Sequence, residues 1–318
     1  MLKTEVERRI AAGGLAAARQ AIANDAIRTP LLPFSAMNGR ELRVKAECLQ
    51  PYGSFKIRAA ANVLADHLPE ELREGVACPS AGNFGQGLAY ACSRRGIKLT
   101  VHAPDNAAEV KLAAMRGLGA ELVVHPFADW WRIMSTRTTG RPDGLFVHPV
   151  CEPGVIIGNG TIGVELVEQW PDLDTIVVPV GGGGLISGIA LAMKSLGHPA
   201  RIVACEVETA APLGPAMRAG EPVTVQRSRS FVDGIGSTRV LDEMWPLLST
   251  LVDDVITVTI DEAAHGVRRA AEASHLIIEG AAGAALAGGI SRECPGKRVA
   301  IILSGGNIDR RELARILD

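Results

Sequence analysis

The sequence predicts an α/β fold with two doubly wound open sheets, in which a small domain is inserted in a larger one. After Gly75 short apolar strands alternate regularly with helices, and a second alternation follows residue 159. Such strand–helix–strand units place parallel strands in one sheet through right-handed crossovers. A length of 318 residues, at about 150 residues per domain, also favours two domains. We expect residues 1–73 and 149–318 to form the large domain and residues 74–148 the small one.

The individual elements follow from apolar periodicity and from the Gly and Pro residues that interrupt it. Thr4 and Glu7 have the spacing of a capping box at the start of the first helix. The predicted helices cover residues 4–22, 56–67, 84–94, 109–116, 159–170, 185–196, 261–273 and 277–288. The predicted strands cover residues 43–46, 76–78, 98–102, 121–124, 175–180, 201–207, 223–230, 255–258 and 299–303. The chain shows no internal repeat and no low-complexity linker.

Composition excludes several classes of protein. Apolar residues make up 47% of the chain and charged residues 21%, and a net charge of −2 without a basic run gives no sign of nucleic-acid binding. The six cysteines form no Cys-x-x-Cys pair, which argues against a zinc site or a disulfide scaffold and fits a reducing cytoplasm. Residues 175–193 carry no charge, but Pro179 and four glycines interrupt them. We therefore expect a buried strand and helix there, a cytoplasmic protein, and no membrane contact.

Lys56 is the first candidate for chemistry. Residues 51–58 form a turn that leads into a helix, with Ser54 as the expected N-cap and Lys56 in the first helical turn. The positive end of the helix dipole and burial beside Phe55 both lower the pKa of an amine, which makes it a nucleophile able to form a Schiff base. The alternative is an ordinary solvated lysine on a surface helix.

The run Gly181–Gly184 is the second candidate, because it lies between a predicted strand and a predicted helix. Unscreened backbone N–H groups at the start of a helix bind anions, and phosphate in particular. The run lacks the Gly-Lys-Ser/Thr ending of a P-loop and fits no G-x-G-x-x-G frame. A tight strand–helix turn is the alternative. A phosphate site together with a separate amine nucleophile indicates pyridoxal phosphate.

Two further loops follow strands. Residues 80–87 offer Ser80, Asn83 and open backbone N–H groups that suit a substrate carboxylate, although a simple capped turn has the same features. Ser304 begins a Ser-Gly-Gly-Asn loop after the last strand, where a hydroxyl can donate a hydrogen bond to a neutral ring nitrogen. The alternative is a turn that caps the final helix.

Taken together, these segments resemble the fold-type-II pyridoxal-phosphate enzymes, whose fold is like that of the tryptophan synthase β subunit. Within them the chain is most similar to the threonine/serine dehydratase and serine racemase family. The resemblance covers nearly the whole chain and runs through residues 28–31, 53–56, 80–83, 158–163, 181–184 and 304–307.

The resemblance implies a role for each matching residue. Lys56 would carry pyridoxal 5'-phosphate and act as the catalytic base. The other cofactor contacts would be Phe55 beside the ring, Asn83 on the 3'-hydroxyl, Gly181, Gly182, Gly183, Gly184 and Leu185 on the phosphate, Ser304 on the ring nitrogen, Gly234 near the ring and Glu279 behind it. The substrate would be held by Ser80, Ala81, Gly82, Asn83 and Phe84. A homodimer acting on a small amino acid is the expected state.

Within this family the sequence favours a β-eliminating ammonia-lyase that converts an L-β-hydroxy amino acid to a 2-oxo acid and ammonia. Racemases of the family have a serine after the first serine of the asparagine loop, whereas this chain has Ala81. A racemase or a β-replacement synthase on the same fold remains an alternative. A non-catalytic protein that binds another phosphorylated ligand is a further one, although Lys56 and Ser304 would then have no purpose.

Three departures from the family pattern bear on the substrate and on metal binding. Phe84 replaces the histidine usual after the asparagine, which leaves room for a bulkier β-substituent, as in phenylserine. Trp130 and Trp131 stand where small or acidic residues are usual, and plain packing is the alternative reason for them. Glu206 matches an acidic ligand of the family's divalent-cation site, but Pro212 replaces an expected carboxylate. We therefore expect no bound metal, and no regulatory domain after the short segment that follows Ser304.

Overall fold

The computed structural model describes residues 1–37, 39–107 and 109–318, and its architecture is α/β with two sheets. The helices are α1 (Leu2–Ala11), α2 (Gly14–Ile22), α3 (Lys56–Ala65), α4 (Asn83–Arg95), α5 (Glu109–Gly117), α6 (Phe127–Thr136), α7 (Pro153–Gln169), α8 (Gly184–Ser195), α9 (Leu213–Ala219), α10 (Trp245–Leu251), α11 (Ile260–Ser274), α12 (Gly280–Ile290) and α13 (Arg310–Leu317). The strands are β1 (Leu31–Met37), β2 (Arg40–Lys45), β3 (Val76–Cys78), β4 (Leu99–Pro104), β5 (Glu121–His125), β6 (Leu145–Phe146), β7 (Thr175–Pro179), β8 (Arg201–Val207), β9 (Asp254–Val258) and β10 (Arg298–Ile302).

The larger sheet has six strands in the order β1-β2-β10-β7-β8-β9, and only the edge pair β1-β2 is antiparallel. Side chains on a strand alternate between its two faces. Ile176 and Val178 of β7 accordingly pack into a core with α7 and α8, whereas Val177 packs into a second core with α11 and α12. Helices cover both faces of this sheet, which confirms the doubly wound prediction.

The smaller sheet has four parallel strands in the order β5-β4-β3-β6. All four come from residues 76–146, which is the distribution that an inserted domain would give, so we retain the division at 74–148 as a proposal. Ile57 and Leu64 of α3 pack into the core of this sheet together with Leu88 of α4. One face of the helix that carries Lys56 therefore packs into the core of the smaller sheet, although the proposed division assigns this helix to the large domain.

Some local predictions were wrong. Residues 4–22 form two helices, because Gly13 has φ +89° and interrupts the first. Thr4 is not a cap, since α1 begins at Leu2. Ser54 is extended and Phe55 occupies the N-cap position of α3.

Residues 223–230 are not a strand. Thr224 makes only an isolated bridge with Arg239, and the backbone N–H groups of Val225 and Ser228 bond to loop carbonyls instead of a strand. Val223 and Val225 are half-buried on either side of the exposed Thr224. This surface loop therefore has the alternation of apolar and polar residues that is typical of a strand. Conversely, residues 175–193 do form a strand and a buried helix, and none of the helices in the described ranges is long and apolar enough to cross a bilayer.

Candidate active site

A cavity lies at the carboxyl ends of β7 and β10, at the edge where open α/β sheets bind ligands. Apart from Ala81, every residue that the sequence analysis assigned to the site lines this cavity. Those residues are Phe55, Lys56, Ser80, Gly82, Asn83, Phe84, Gly181, Gly182, Gly183, Gly184, Leu185, Gly234, Glu279 and Ser304. Ala81 instead packs against the core of the smaller sheet.

The turn before Lys56 is held by the chain segment that follows β10. The N–H of Phe55 donates to the carbonyl of Ser304 at 3.0 Å, and the N–H of Gly306 donates to the carbonyl of Gly53 at 2.8 Å. Gly53 has φ +70°, a conformation that favours glycine. These two hydrogen bonds join residues 249 and 253 positions apart and fix Lys56 beside the Ser304 loop.

The environment of Lys56 favours a reactive amine. Burial lowers the pKa of Lys56 to about 8, because the charged form loses its hydration. Its Nζ lies 4.9 Å from the ring centroid of Phe55 and 5.8 Å from that of Phe84. No side chain in the described part of the sequence accepts a hydrogen bond from Nζ. A substantial fraction of this amine is therefore neutral and unengaged near physiological pH.

The glycine run forms a cradle that larger residues would fill. A Cβ on Gly182 would lie 2.6 Å from a methyl of Val150, and Gly183 has φ +90°. The first helical hydrogen bond of α8 runs from Ser187 back to Gly183, so the N–H groups of the preceding turn have no partner in the helix. Free N–H groups at the positive end of α8 are suited to hold a phosphate.

Asn83, which is half-buried, and the buried Glu279 form a hydrogen-bonded pair on another side of the cavity. The amide of Asn83 donates to both carboxylate oxygens of Glu279, at 3.0 and 2.9 Å. Asn307 donates to the Asn83 carbonyl oxygen at 3.1 Å and so orients the amide. Burial raises the pKa of Glu279 to about 7, against the opposing effect of the Asn83 hydrogen bond. In this arrangement the amide nitrogen of Asn83 is already hydrogen-bonded to Glu279.

These residues fit pyridoxal 5'-phosphate. The site offers an amine for the aldehyde at Lys56, a glycine cradle for the phosphate and a buried hydroxyl at Ser304 for the ring nitrogen. Behind the cradle the amide of Asn159 is fully buried, and neither its nitrogen nor its oxygen has a partner among the described residues. Phe55 and Gly234 also line this cavity.

Several lining residues were missed by the sequence analysis. Lys111 of α5 and Asp233 form an ion pair of 2.6 Å that joins the smaller sheet's side of the cavity to the larger sheet's side. Pro149, Val150 and Ile235 complete the wall. None of them lies in a glycine-rich strand–helix turn, so no local pattern marks them.

Glu206, which matches an acidic ligand of the family's cation site, is hydrogen-bonded to the backbone in this structure. The carboxylate of Glu206 accepts hydrogen bonds from the N–H groups of Leu213 and Gly214, at 2.9 and 3.0 Å. It thereby caps the start of α9, next to Pro212. Both oxygens of Glu206 are thus occupied by backbone donors.

A buried ionic network lies beneath the first turn of α3. Arg58 is 1% exposed and donates to both oxygens of Glu47 and of Glu165, at distances from 2.6 to 2.9 Å. Lys45 is also buried and donates to Glu165, and Thr29 donates to Glu47 at 2.6 Å. Two cations and two anions balance within this network, which anchors α3 two residues after Lys56.

His148 shapes the cavity wall at Pro149 and Val150. Its Nδ1 accepts hydrogen bonds from the N–H groups of Val150 and Cys151, at 3.1 and 2.9 Å. Burial, together with the charge of Arg137, lowers the pKa of His148 to about 4. A protonated Nδ1 cannot accept these hydrogen bonds, so this turn depends on the neutral imidazole.

Stability is therefore expected to fall on acidification. The unfolded chain binds the His148 proton near pH 6.5 and the folded chain only near pH 4, so the stabilisation is complete above pH 6.5 and is lost as the pH falls towards 4. The full effect is about 3–4 kcal/mol. His148→Asn retains an acceptor at the same position without titrating. Melting temperatures measured from pH 7.5 to 4 should fall less steeply for this variant, and equal slopes would contradict the prediction.

The comparisons with known proteins agree with this geometry. A family profile described as pyridoxal-phosphate dependent enzyme matches residues 22–305, which include Lys56, the glycine run and Ser304. L-threonine ammonia-lyase from Thermotoga maritima is 36% identical over 287 residues, covering 90% of this chain and 72% of that protein. Serine racemase from Rattus norvegicus is 37% identical over 299 residues, 90% of each. The structure of maize serine racemase matches with a TM-score of 0.88 and 32% identity over 95% of each chain.

Proposed function

Since the chain belongs to the family of pyridoxal-phosphate-dependent enzymes, we propose that it is an ammonia-lyase acting on an L-β-hydroxy amino acid of the threonine or serine type. The observation that carries the proposal is the set of ionisable groups in the cavity. Lys111 and Asp233 are paired with each other, and Glu279 is held by Asn83. Among the described lining residues, Lys56 is the only ionisable side chain without a polar partner.

One free base is what an elimination requires. When bound, the pyridoxal group withdraws electrons from the substrate Cα and so acidifies its proton. The amine of Lys56 is positioned to take that proton, and its lowered pKa provides the neutral form. Backbone N–H groups of the Ser80–Asn83 loop are suited to hold the substrate carboxylate. Loss of the Cα proton and the β-hydroxyl releases water, and hydrolysis of the resulting unsaturated amine takes up water and releases ammonia, so the products are a 2-oxo acid and ammonia.

The second candidate is an amino-acid racemase. It is favoured by the relatives and solved structures named serine racemase, which are as similar to the chain as the ammonia-lyase is. Racemisation requires a second proton donor on the opposite face of Cα. Ala81 has no such proton and packs away from the cavity. We also propose, from the family resemblance alone, that the enzyme works as a homodimer in the cytoplasm.

A product assay distinguishes the two activities. With L-threonine and L-serine we expect 2-oxo acid release at least about tenfold faster than formation of the other enantiomer at Cα, because Ala81 neither lines the cavity nor carries a proton to donate. Chiral chromatography of the remaining substrate and a 2-oxo acid assay measure both rates. Because Ala81 packs against the core of the smaller sheet and does not line the cavity, Ala81→Ser should leave the racemisation rate unchanged, and Ala81→Gly serves as the control. Comparable rates in the unmodified enzyme would establish the racemase instead.

A further inference from the structure

A second cavity lies beside the first, between α6 and the loop that precedes α10. Its volume is about 430 Å³, within the range of about 300–1,000 Å³ that small-molecule sites occupy. Three aromatic residues of α6, Phe127, Trp130 and Trp131, form part of its lining. Arg227 and Arg229 contribute from the large-sheet side. We call this cavity the aromatic–arginine cleft.

The aromatic–arginine cleft adjoins the Lys56 cavity and shares part of its wall. Asp233 and Ile235 line both cavities, so the two are neighbours separated by one short loop. The indole N–H of Trp130 donates to the carbonyl of Pro79 at 3.2 Å. Pro79 directly precedes Ser80 of the expected carboxylate loop. The aromatic side of the cleft is thus attached to the segment that would hold the substrate.

The cleft combines clustered aromatic rings with two arginines. The rings of Phe127 and Trp130 are 5.5 Å apart, those of Trp130 and Trp131 are 6.1 Å apart, and Trp131 is 46% exposed. Within the described ranges Arg227 and Arg229 make neither an ion pair nor a side-chain hydrogen bond. Aromatic faces and unpaired guanidinium groups therefore line one space.

A flat aromatic group matches both kinds of surface. It stacks on or packs edge-to-face against indole and phenyl rings, and its face attracts a guanidinium group. A lone carboxylate would pair with the arginines but would make no use of the exposed ring of Trp131.

We propose that the aromatic–arginine cleft receives the β-substituent of the substrate and selects an aromatic one, of the 3-phenylserine class. This inference rests on the proposed function, because it assumes that a β-hydroxy amino acid is bound at Lys56. Trp131 and Arg229 are then specificity-determining residues that contact the aromatic ring. Trp130 positions the aromatic surface through its hydrogen bond to Pro79.

Steady-state kinetics of 2-oxo acid release provide the first test. The holoenzyme should use L-threo-3-phenylserine with at least about tenfold higher kcat/KM than L-threonine. Trp131→Ala should remove about tenfold of the phenylserine kcat/KM, mainly through KM, and leave the threonine value within about twofold. Trp131→Phe should restore most of the loss. Leu196→Ala, which removes an equally exposed apolar side chain directly after α8, is the matched control and should change the kcat/KM of neither substrate.

The arginines are tested with a third substrate, 3-hydroxyaspartate. Arg229→Ala should raise the KM for phenylserine several-fold. Arg292→Ala, which removes an exposed arginine in the segment before β10, is the control and should not change this KM. A wild-type preference for 3-hydroxyaspartate that Arg229→Ala abolishes would overturn the aromatic assignment. Equal losses for phenylserine and threonine in Trp131→Ala would also overturn it, since Trp131 would then support only the fold.

Calorimetric titration of phenylserine into cofactor-loaded Lys56→Ala separates this inference from the proposed function. We expect binding that the additional Trp131→Ala change weakens about tenfold. If threonine releases a 2-oxo acid while phenylserine does not bind, the cleft assignment fails and the proposed function stands. If phenylserine binds through Trp131 but no substrate releases a 2-oxo acid, the proposed function fails and the cleft assignment stands.

Discussion

Lys56→Ala is expected to remove covalent attachment of pyridoxal 5'-phosphate and to stop turnover. Lys56 supplies both the amine that binds the aldehyde and the only unpaired base among the described lining residues. Turnover should therefore fall by at least about 10²–10⁴-fold, the range that a positioned general base contributes. Borohydride reduction of the wild-type holoenzyme, followed by digestion and mass spectrometry, should place the cofactor on Lys56.

Lys111 provides the matched control, because it is the other lysine in the cavity lining. It is paired with Asp233 at 2.6 Å, so we expect Lys111→Ala to keep the label on Lys56. Lys56→Ala should still bind the cofactor without a covalent bond, since the N–H groups of the glycine run hold the phosphate. A reduced label on Lys111, or full activity of Lys56→Ala, would show that the catalytic lysine has been misassigned.

Arg58→Met is expected to destabilise the folded protein by about 3–5 kcal/mol, the cost of removing one partner from a buried ion pair. Glu47 and Glu165 would lose their shared guanidinium group and keep only Lys45 as a buried cation. The network lies under the first turn of α3, so loosening it should also weaken retention of the cofactor at Lys56.

Thermal and urea unfolding of the holoenzyme, with cofactor affinity measured in parallel, check this expectation. Arg292→Met removes an exposed arginine and should stay within about 0.5 kcal/mol of the parent. A change below about 1 kcal/mol in Arg58→Met would mean that the two carboxylates take up protons or water at little cost, and that the network is not an anchor.

Much of the site was predictable because each motif is local. Lys56 follows a Tyr-Gly-Ser turn, Gly181–Gly184 joins β7 to α8, and Ser304 follows β10. Parallel strands place their carboxyl ends at one edge of a sheet, so loops far apart in sequence meet there. The errors were local as well: Gly13 adopts a left-handed conformation that ends α1, and residues 223–230 alternate in polarity without a neighbouring strand.

The sequence by itself determined the α/β class and the strand–loop–helix motifs, and it indicated the candidate lysine, because backbone propensities and glycine runs act over a few residues. Only the tertiary structure decided which distant groups meet. It brought Asn83 to Glu279, Lys111 to Asp233, and the tryptophans of α6 to the arginine-bearing loop. These contacts depend on how the smaller sheet packs beside the larger one. Packing of that kind is set by the sum of many weak interactions across the core, which no short stretch of sequence encodes.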